Sequence, residues 1–119
     1  MLEEVMLALR VTDMDYAPDI CDLLEAAYLD LSIAGVVIDG ECSFNITKTT
    51  NQQTGVTTIT VEDNSDIEDK LVLQAMKTYV RMHFGSPADY DKLNASYKVQ
   101  REQLANATGY TNFGEEAET

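Results

Sequence analysis

The segment DMDYAPD, residues 13–19, places carboxylates at the alternating spacing that a calcium-binding loop uses for its first ligands. Such a loop also needs glycine at its sixth position and a bidentate glutamate at its twelfth. Here these positions hold Pro18 and Leu24. The segment is therefore not predicted to bind calcium.

The chain has two thiols, Cys21 and Cys42, and one imidazole, His83, and their spacing does not make a zinc site on its own. Cys21 lies beside an apolar helical stripe, which favours a small buried side chain. His83 falls at the end of a predicted helix, where it interacts favourably with the helix dipole. No metal and no cofactor are predicted.

Sequence signatures of catalysis are missing. The chain has no G-x-S-x-G elbow, no P-loop and no Rossmann glycine pattern. Its carboxylates are spread along predicted solvent faces, so no catalytic pair is indicated. The protein is not predicted to be an enzyme.

Negative charge dominates the composition. The 119 residues hold 21 Asp and Glu against 8 Lys and Arg, a net charge of −13. Residues 1–41 contain ten of the acidic groups and one basic group, Arg10, which leaves −9 there. An acidic surface repels the phosphate backbone, which disfavours ordinary nucleic-acid binding but does not forbid a wall past which DNA slides without sticking.

The length indicates one domain. No apolar run reaches the ~18 residues of a membrane span, and the acidic N-terminus does not resemble a signal peptide. We therefore expect a cytosolic chain with reduced thiols and no membrane partner.

Apolar residues recur at helical spacing in four segments. The pattern predicts a first helix over 2–10 and a second over about 16–34. The third is predicted to begin at a capping box formed by Ser65 and Glu68 and to stop at Gly85, and the fourth to cover about 87–106. The third is apolar over much of its circumference and is predicted to be central. Tyr90 and Tyr97 share one face of the fourth, where core packing and a subunit interface both remain open.

Between the second and third helices, SFNITKTTNQQTGVTTITV alternates with period two and predicts a β-hairpin over about 43–62. The preceding connector, VVIDGECS, is a candidate start of a strand. The predicted pairs are Phe44 with Val61, Ile46 with Ile59, and Lys48 with Thr57. The loop falls near Asn51–Thr54, with Gly55 supplying a positive φ. An isolated hairpin is marginal in water, so its outer half is expected to need outside support.

The predicted fold is therefore mainly α, a small four-helix bundle with an inserted β-hairpin, over residues 1–106. Residues 107–119 have no period, two glycines and three glutamates, and are predicted to form a flexible tail.

The order of these segments resembles the head–tail connector, or head-completion adaptor, proteins of long-tailed phages. MLEEVMLALRVTDMDYAPDICDLLEAAYLDLSIAGVV is similar to the opening of that family, and LVLQAMKTYVRMHFGSPADYDKLNASYKVQREQL to its third and fourth helices. The positions that carry the resemblance are Leu2, Val5, Leu9, Arg10, Val11, Thr12, Asp13, Asp19, Ile20, Ala26, Ala27, Tyr79, Val80, Phe84, Gly85 and Tyr97. The long hairpin and the tail depart from the family's pattern.

The resemblance implies a structural virion protein, made in the host cytoplasm, without catalysis or cofactor. Such subunits assemble as a ring, here expected to hold about twelve copies, beneath the portal protein. The ring extends the channel through which DNA passes and presents a surface to the next stopper or tail-completion protein.

Three sets of residues are candidate sites under this interpretation. The hairpin is the expected ring contact, through Phe44, Ile46, Lys48, Thr57, Ile59 and Val61. The tail is a candidate portal contact, through Tyr110 and Phe113. The candidate acidic channel lining consists of Glu3, Glu4, Asp13, Asp15 and Asp19.

Two other interpretations remain open. One is a different virion assembly protein, such as a tail-completion factor, with similar helices. The other is an acidic module that mimics DNA and inhibits a basic nucleic-acid-binding protein, for which the excess charge of residues 1–41 is the argument.

Overall fold

A computed structural model describes residues 1–85 and 87–106 and shows a mainly helical protein that carries one antiparallel hairpin. The helices in these residues are α1 (Leu2–Leu9), α2 (Ala17–Ile33), α3 (Lys70–His83) and α4 (Tyr90–Asn106). The strands are β1 (Phe44–Thr50) and β2 (Thr57–Asp63). The predicted tail and its candidate contacts, Tyr110 and Phe113, lie outside the described residues.

The first two helices follow their predicted stripes. α1 buries Leu2, Val5 and Met6 on one face, as the i, i+3, i+4 spacing predicts. A short 3₁₀ turn, Met14–Tyr16, precedes α2, and the Asp13 carboxylate caps it by accepting from the Asp15 N–H. α2 ends before Gly35, as predicted. Gly35 has a φ of 97°, a conformation that glycine adopts at low cost and that does not continue a helix.

α3 contacts α1, α2 and α4 and is therefore the central helix. This confirms the prediction made from the apolar residues around much of its circumference. The predicted capping box is wrong. α3 is capped by Asp69, whose carboxylate accepts from the N–H groups of Leu71 and Val72. Ser65 lies too early to cap this helix, and its hydroxyl bonds the backbone of Ser43 instead.

The core lies between α2, α3 and α4, with α1 closing one side. α3 ends as predicted before Gly85, which has a φ of 71°. α4 begins at Tyr90, three residues later than Pro87. The fully buried side chains of largest volume are Ile20, Leu24, Leu31, Met76, Val5, Val72, Val80 and Cys21.

The hairpin pairs in a register that differs by two residues from the predicted one. Phe44 lies opposite Asp63, Ile46 opposite Val61, Lys48 opposite Ile59 and Thr50 opposite Thr57. An even shift leaves every side chain on its original face, so the alternation does not distinguish the two registers. Gly55 has the predicted positive φ, 71°.

The connector before β1 is not a strand in the described structure, but it runs beside the residues that follow β2. The Asn64 N–H donates to the Ser43 carbonyl at 2.9 Å, and the Asp66 N–H donates to the Glu41 carbonyl at 3.0 Å. These bonds, with those of Ser65, join both ends of the hairpin to each other where it meets the helices.

Candidate functional site

The hairpin, residues 43–62, forms an arm whose base is anchored and whose outer part is free. Phe44 and Val61 pack against the helical core, whereas residues 45–58 are all exposed. All six predicted contact residues lie on one face of the arm, because opposing residues of an antiparallel pair point to the same side. Their exposure rises from the base outward, with Ile46 already 38% exposed.

The tip of the arm is ordered by its own polar side chains. The Asn51 side-chain oxygen accepts from the Gln53 N–H at 2.9 Å, an Asx turn, and the hydroxyls of Thr50 and Thr57 lie 3.1 Å apart. These bonds order the turn, whereas the outer parts of both strands have no buried side chain to support them. Within residues 1–85 and 87–106, each strand pairs on one side alone, which leaves two backbone edges open to another chain.

The base of the arm also anchors the start of the chain. The Asp63 carboxylate accepts from the Leu2 N–H at 2.8 Å and pairs with the Met1 ammonium at 2.9 Å. Burial acts to raise the pKa of Asp63, but these bonds and those from Ser65 outweigh it and hold the pKa below its ordinary value. Asp63 therefore joins α1 to β2, a role that the sequence pattern does not reveal.

The five candidate channel-lining carboxylates are all exposed, but they lie in different surroundings. Glu3 and Glu4 border a cleft beside Asp63, and Glu4 also lies 3.6 Å from the Lys77 ammonium. Asp13 caps the 3₁₀ turn, and Asp15 lies within that turn. Asp19 borders a second cleft, so the set does not converge on one pocket.

This second cleft, of about 710 Å³, lies between the start of α2 and the end of α3. Asp19 and Asp22 border it on one side and His83 on the other, and the rings of Tyr16 and Phe84 meet edge to face at 5.7 Å. Carboxylates beside aromatic rings suit a cationic group. The sequence offered Asp19 as a candidate; Tyr16 and Phe84, some 70 residues apart in sequence, are brought together by the fold alone.

Neither thiol is activated. Cys21 is buried, and burial together with the nearby carboxylates of Asp63 and Glu25 raises its pKa to about 12. Cys42 is half-buried; burial raises its pKa to about 11, although a hydrogen bond with Ser65 acts to lower it. Thiols in this state are poor nucleophiles and poor metal ligands.

Over residues 1–85 and 87–106, no group of three or more His, Cys, Asp or Glu side chains is arranged to hold a metal ion. In the same residues, no helix combines the length and the apolar character needed to cross a bilayer.

α4 is tied to α2 by one polar cluster. Tyr97, which is buried, donates from its phenol to the Asp30 carboxylate, and the Arg101 guanidinium lies 3.0 Å from the same oxygen. Burial, followed by the hydrogen bond to Asp30, raises the pKa of the Tyr97 phenol. Tyr97 therefore belongs to the core, whereas Tyr90 is 40% exposed.

No protein-family model, no curated protein and no solved structure matches this chain.

Proposed function

We propose that this protein is a phage head–tail connector. Its described residues form a small helical bundle with the arm inserted between the second and third helices. In this proposal, copies of the chain assemble as a ring beneath the portal, extend the DNA channel and provide the docking surface for the next stopper or tail protein.

The observation that carries the proposal is the arm. A two-stranded hairpin is marginal when isolated, and residues 45–58 are exposed along both strands. Main-chain pairing of a free strand edge with a neighbouring chain is a common mode of assembly. The arm therefore has the properties of a contact that is completed in an oligomer.

The remaining features fit the same role. A net charge of −13 suits a channel wall that DNA passes without being gripped. Tyr110 and Phe113 are proposed to contact the portal when the ring docks. The protein acts in the virion at the head–tail junction, without catalysis or cofactor.

The test is removal of the outer arm. We expect native mass spectrometry of the full chain, over a wide concentration range and with a portal ring present or absent, to show a closed assembly of about a dozen copies. Replacing residues 47–60 by a two-residue turn, which keeps Ile46 opposite Val61, should leave a folded helical monomer by circular dichroism but abolish the ring. Exchanging Gln52 and Gln53 for alanine is the control, because it keeps both strand edges and should keep the ring.

If the truncated chain still assembled, the arm would not be the contact that holds the ring together. A full chain that neither assembles nor binds a portal ring would refute the connector proposal as a whole. The DNA-mimic interpretation predicts a different result: a monomer or dimer that binds a basic DNA-binding protein and is displaced by duplex DNA.

A further inference from the structure

Two helices carry matching outward stripes. On α2, Asp22, Leu29 and Ile33 lie on the side opposite the buried residues, and Leu29 and Ile33 are 59% and 85% exposed. On α4, Lys92 and Val99 lie opposite buried Tyr97 and Leu104, and Val99 is 52% exposed. Because both helices turn their apolar faces to one core, the two stripes face different sides of the molecule.

The stripes match in spacing and, at one position on each helix, carry opposite charges. On each helix an exposed charge is followed seven residues later by an exposed aliphatic side chain: Asp22 and Leu29 on α2, Lys92 and Val99 on α4. Seven residues are two helical turns, or roughly 10 Å. If the helices lie parallel, carboxylate meets ammonium and leucine meets valine at the same time. Neither Asp22 nor Lys92 has an ion pair within residues 1–85 and 87–106.

The fold itself places these residues at matching heights. Asp30 of α2 contacts Tyr97 and Arg101 of α4, so residue 29 is level with the middle of that span, near Val99. At the other end, Asp22 shares a cleft with His83, and the His83 ring meets the Tyr90 ring edge to face with centroids 6.2 Å apart. α2 and α4 therefore run in the same direction, with Asp22 level with the start of α4.

Rotation about an axis preserves height along that axis. In a ring whose axis runs along these helices, a residue of one copy meets the residues level with it on the next copy. Asp22 then meets Lys92, and Leu29 meets Val99. A head-to-tail contact of this kind uses two different faces of the same chain, and it gives a ring when the rotation between neighbouring copies closes.

We propose that the outward stripe of α2 packs, in parallel, against the outward stripe of α4 in the next copy of this chain. The contact pairs Asp22 with Lys92 and Leu29 with Val99, and Ile33 extends its apolar part. This inference rests on the proposed function, since it assigns the surface through which neighbouring subunits of the ring meet.

A charge exchange tests the contact, with native mass spectrometry reading the concentration at which half of the chains are assembled. Asp22→Lys or Lys92→Asp places like charges at every subunit junction and should raise that concentration about tenfold or more. The double variant restores opposite charges in the reverse order and should return to within about threefold of the unmodified chain. The matched controls, Asp39→Lys and Lys70→Asp, make the same charge changes at exposed positions outside α2 and α4 and should have little effect.

A second pair of variants tests the apolar half of the contact. Leu29→Ala should weaken assembly, whereas Leu7→Ala, at a leucine of α1 that is 79% exposed, should not. Circular dichroism of each variant checks that the monomer is folded.

This contact would be overturned if the single charge reversals left the half-assembly concentration unchanged, or if the double variant assembled as poorly as the single variants. Either result would leave the connector proposal standing. A chain that stays monomeric up to about 1 mM without a portal would also overturn it, because the contact needs no third component. Failure to bind a portal ring would count against the connector proposal, whatever these variants do.

Discussion

Tyr97 on α4 donates a hydrogen bond to Asp30 on α2, and this bond joins the two helices through residues that are 67 positions apart in sequence. The Tyr97 ring also meets the Tyr79 ring at 5.3 Å, so one side chain contacts both neighbouring helices. The Arg101 guanidinium balances the Asp30 charge. The cluster fixes how far α4 can slide along α2, and with it the relative height of the two outward stripes.

Tyr97→Phe should lower the free energy of unfolding by about 1–2 kcal/mol, because it removes a hydrogen bond to a charged acceptor and leaves the ring in place. Urea denaturation measures the change. Tyr90→Phe is the control: its ring is 40% exposed, so the loss should be well under 1 kcal/mol by the same principle. Equal losses in the two variants would argue against the Tyr97–Asp30 bond.

Asp63→Asn should destabilise the protein near neutral pH and lose its effect in acid. The pKa of Asp63 is lowered in the folded state, so the carboxylate stabilises the fold above its unfolded pKa, about 3.9. That contribution is lost as the pH falls through the lower, folded pKa. Because solvent screens this partly exposed carboxylate, we expect a loss of about 1 kcal/mol at pH 7 that shrinks as the pH falls below about 4.

Thermal unfolding at a series of pH values measures this, with Asp39→Asn, at an exposed residue, as the control. A difference between Asp63→Asn and the unmodified chain that stays constant down to pH 2 would show that the carboxylate charge is not what matters.

Gly40→Ala should be far more disruptive than Gly35→Ala. Both glycines have positive φ, 111° and 97°, so both substitutions strain the backbone. A Cβ at Gly40 would also meet Asp66 Oδ1 at 2.9 Å and Ile67 Cα at 3.0 Å, whereas the space around Gly35 is open. Chemical denaturation should show that Gly40→Ala costs at least about 1 kcal/mol more. Equal losses of stability in the two variants would mean that the backbone around Asp66 and Ile67 shifts easily to accommodate a methyl group.

Both cysteines should resist thiol reagents in the folded protein and react promptly in urea. With pKa values of about 12 and about 11, the thiolate fractions of Cys21 and Cys42 at pH 8 are of order 10⁻⁴ and 10⁻³. The Cys21→Ser and Cys42→Ser variants separate the two rates by absorbance with an aromatic disulfide reagent. Cys42 should react first, since it is half-buried; fast reaction of Cys21 without denaturant would contradict its burial.

Local pattern predicted most of the fold. The stripe of α1, the stop of α2 at Gly35, the central place of α3 and the turn at Gly55 all follow from spacing and from residues that are free to adopt positive φ. The start of α3 was not predicted correctly. Ser65 and Glu68 fit a capping box as well as Asp69 fits an N-cap, and the hydrogen bonds between Ser65 and Ser43 are tertiary contacts that local pattern does not reveal.

Contacts between residues far apart in the chain could not be predicted from the sequence pattern. The register of the arm differs by two residues from the expected one, since an even shift keeps the same side chains on the same face. The Asp30–Tyr97 and Asp63–Leu2 bonds join residues far apart in the chain, and periodicity carries no information on such partners. The candidate arm face was therefore predictable, whereas the height relation between α2 and α4 was not.

The anchoring of the arm at its base has a consequence for divergence. Phe44 and Val61 pack against the core and residues 45–58 are all exposed, so we expect that the length and tip of the arm can change without disturbing the helices. Adding two residues to each strand would extend its reach by roughly 7 Å and preserve the pleat. If the arm contacts a neighbouring chain as proposed, its tip can change together with that surface while the helical core stays the same. In the laboratory, Gln52–Gln53 is a suitable insertion point for a peptide epitope.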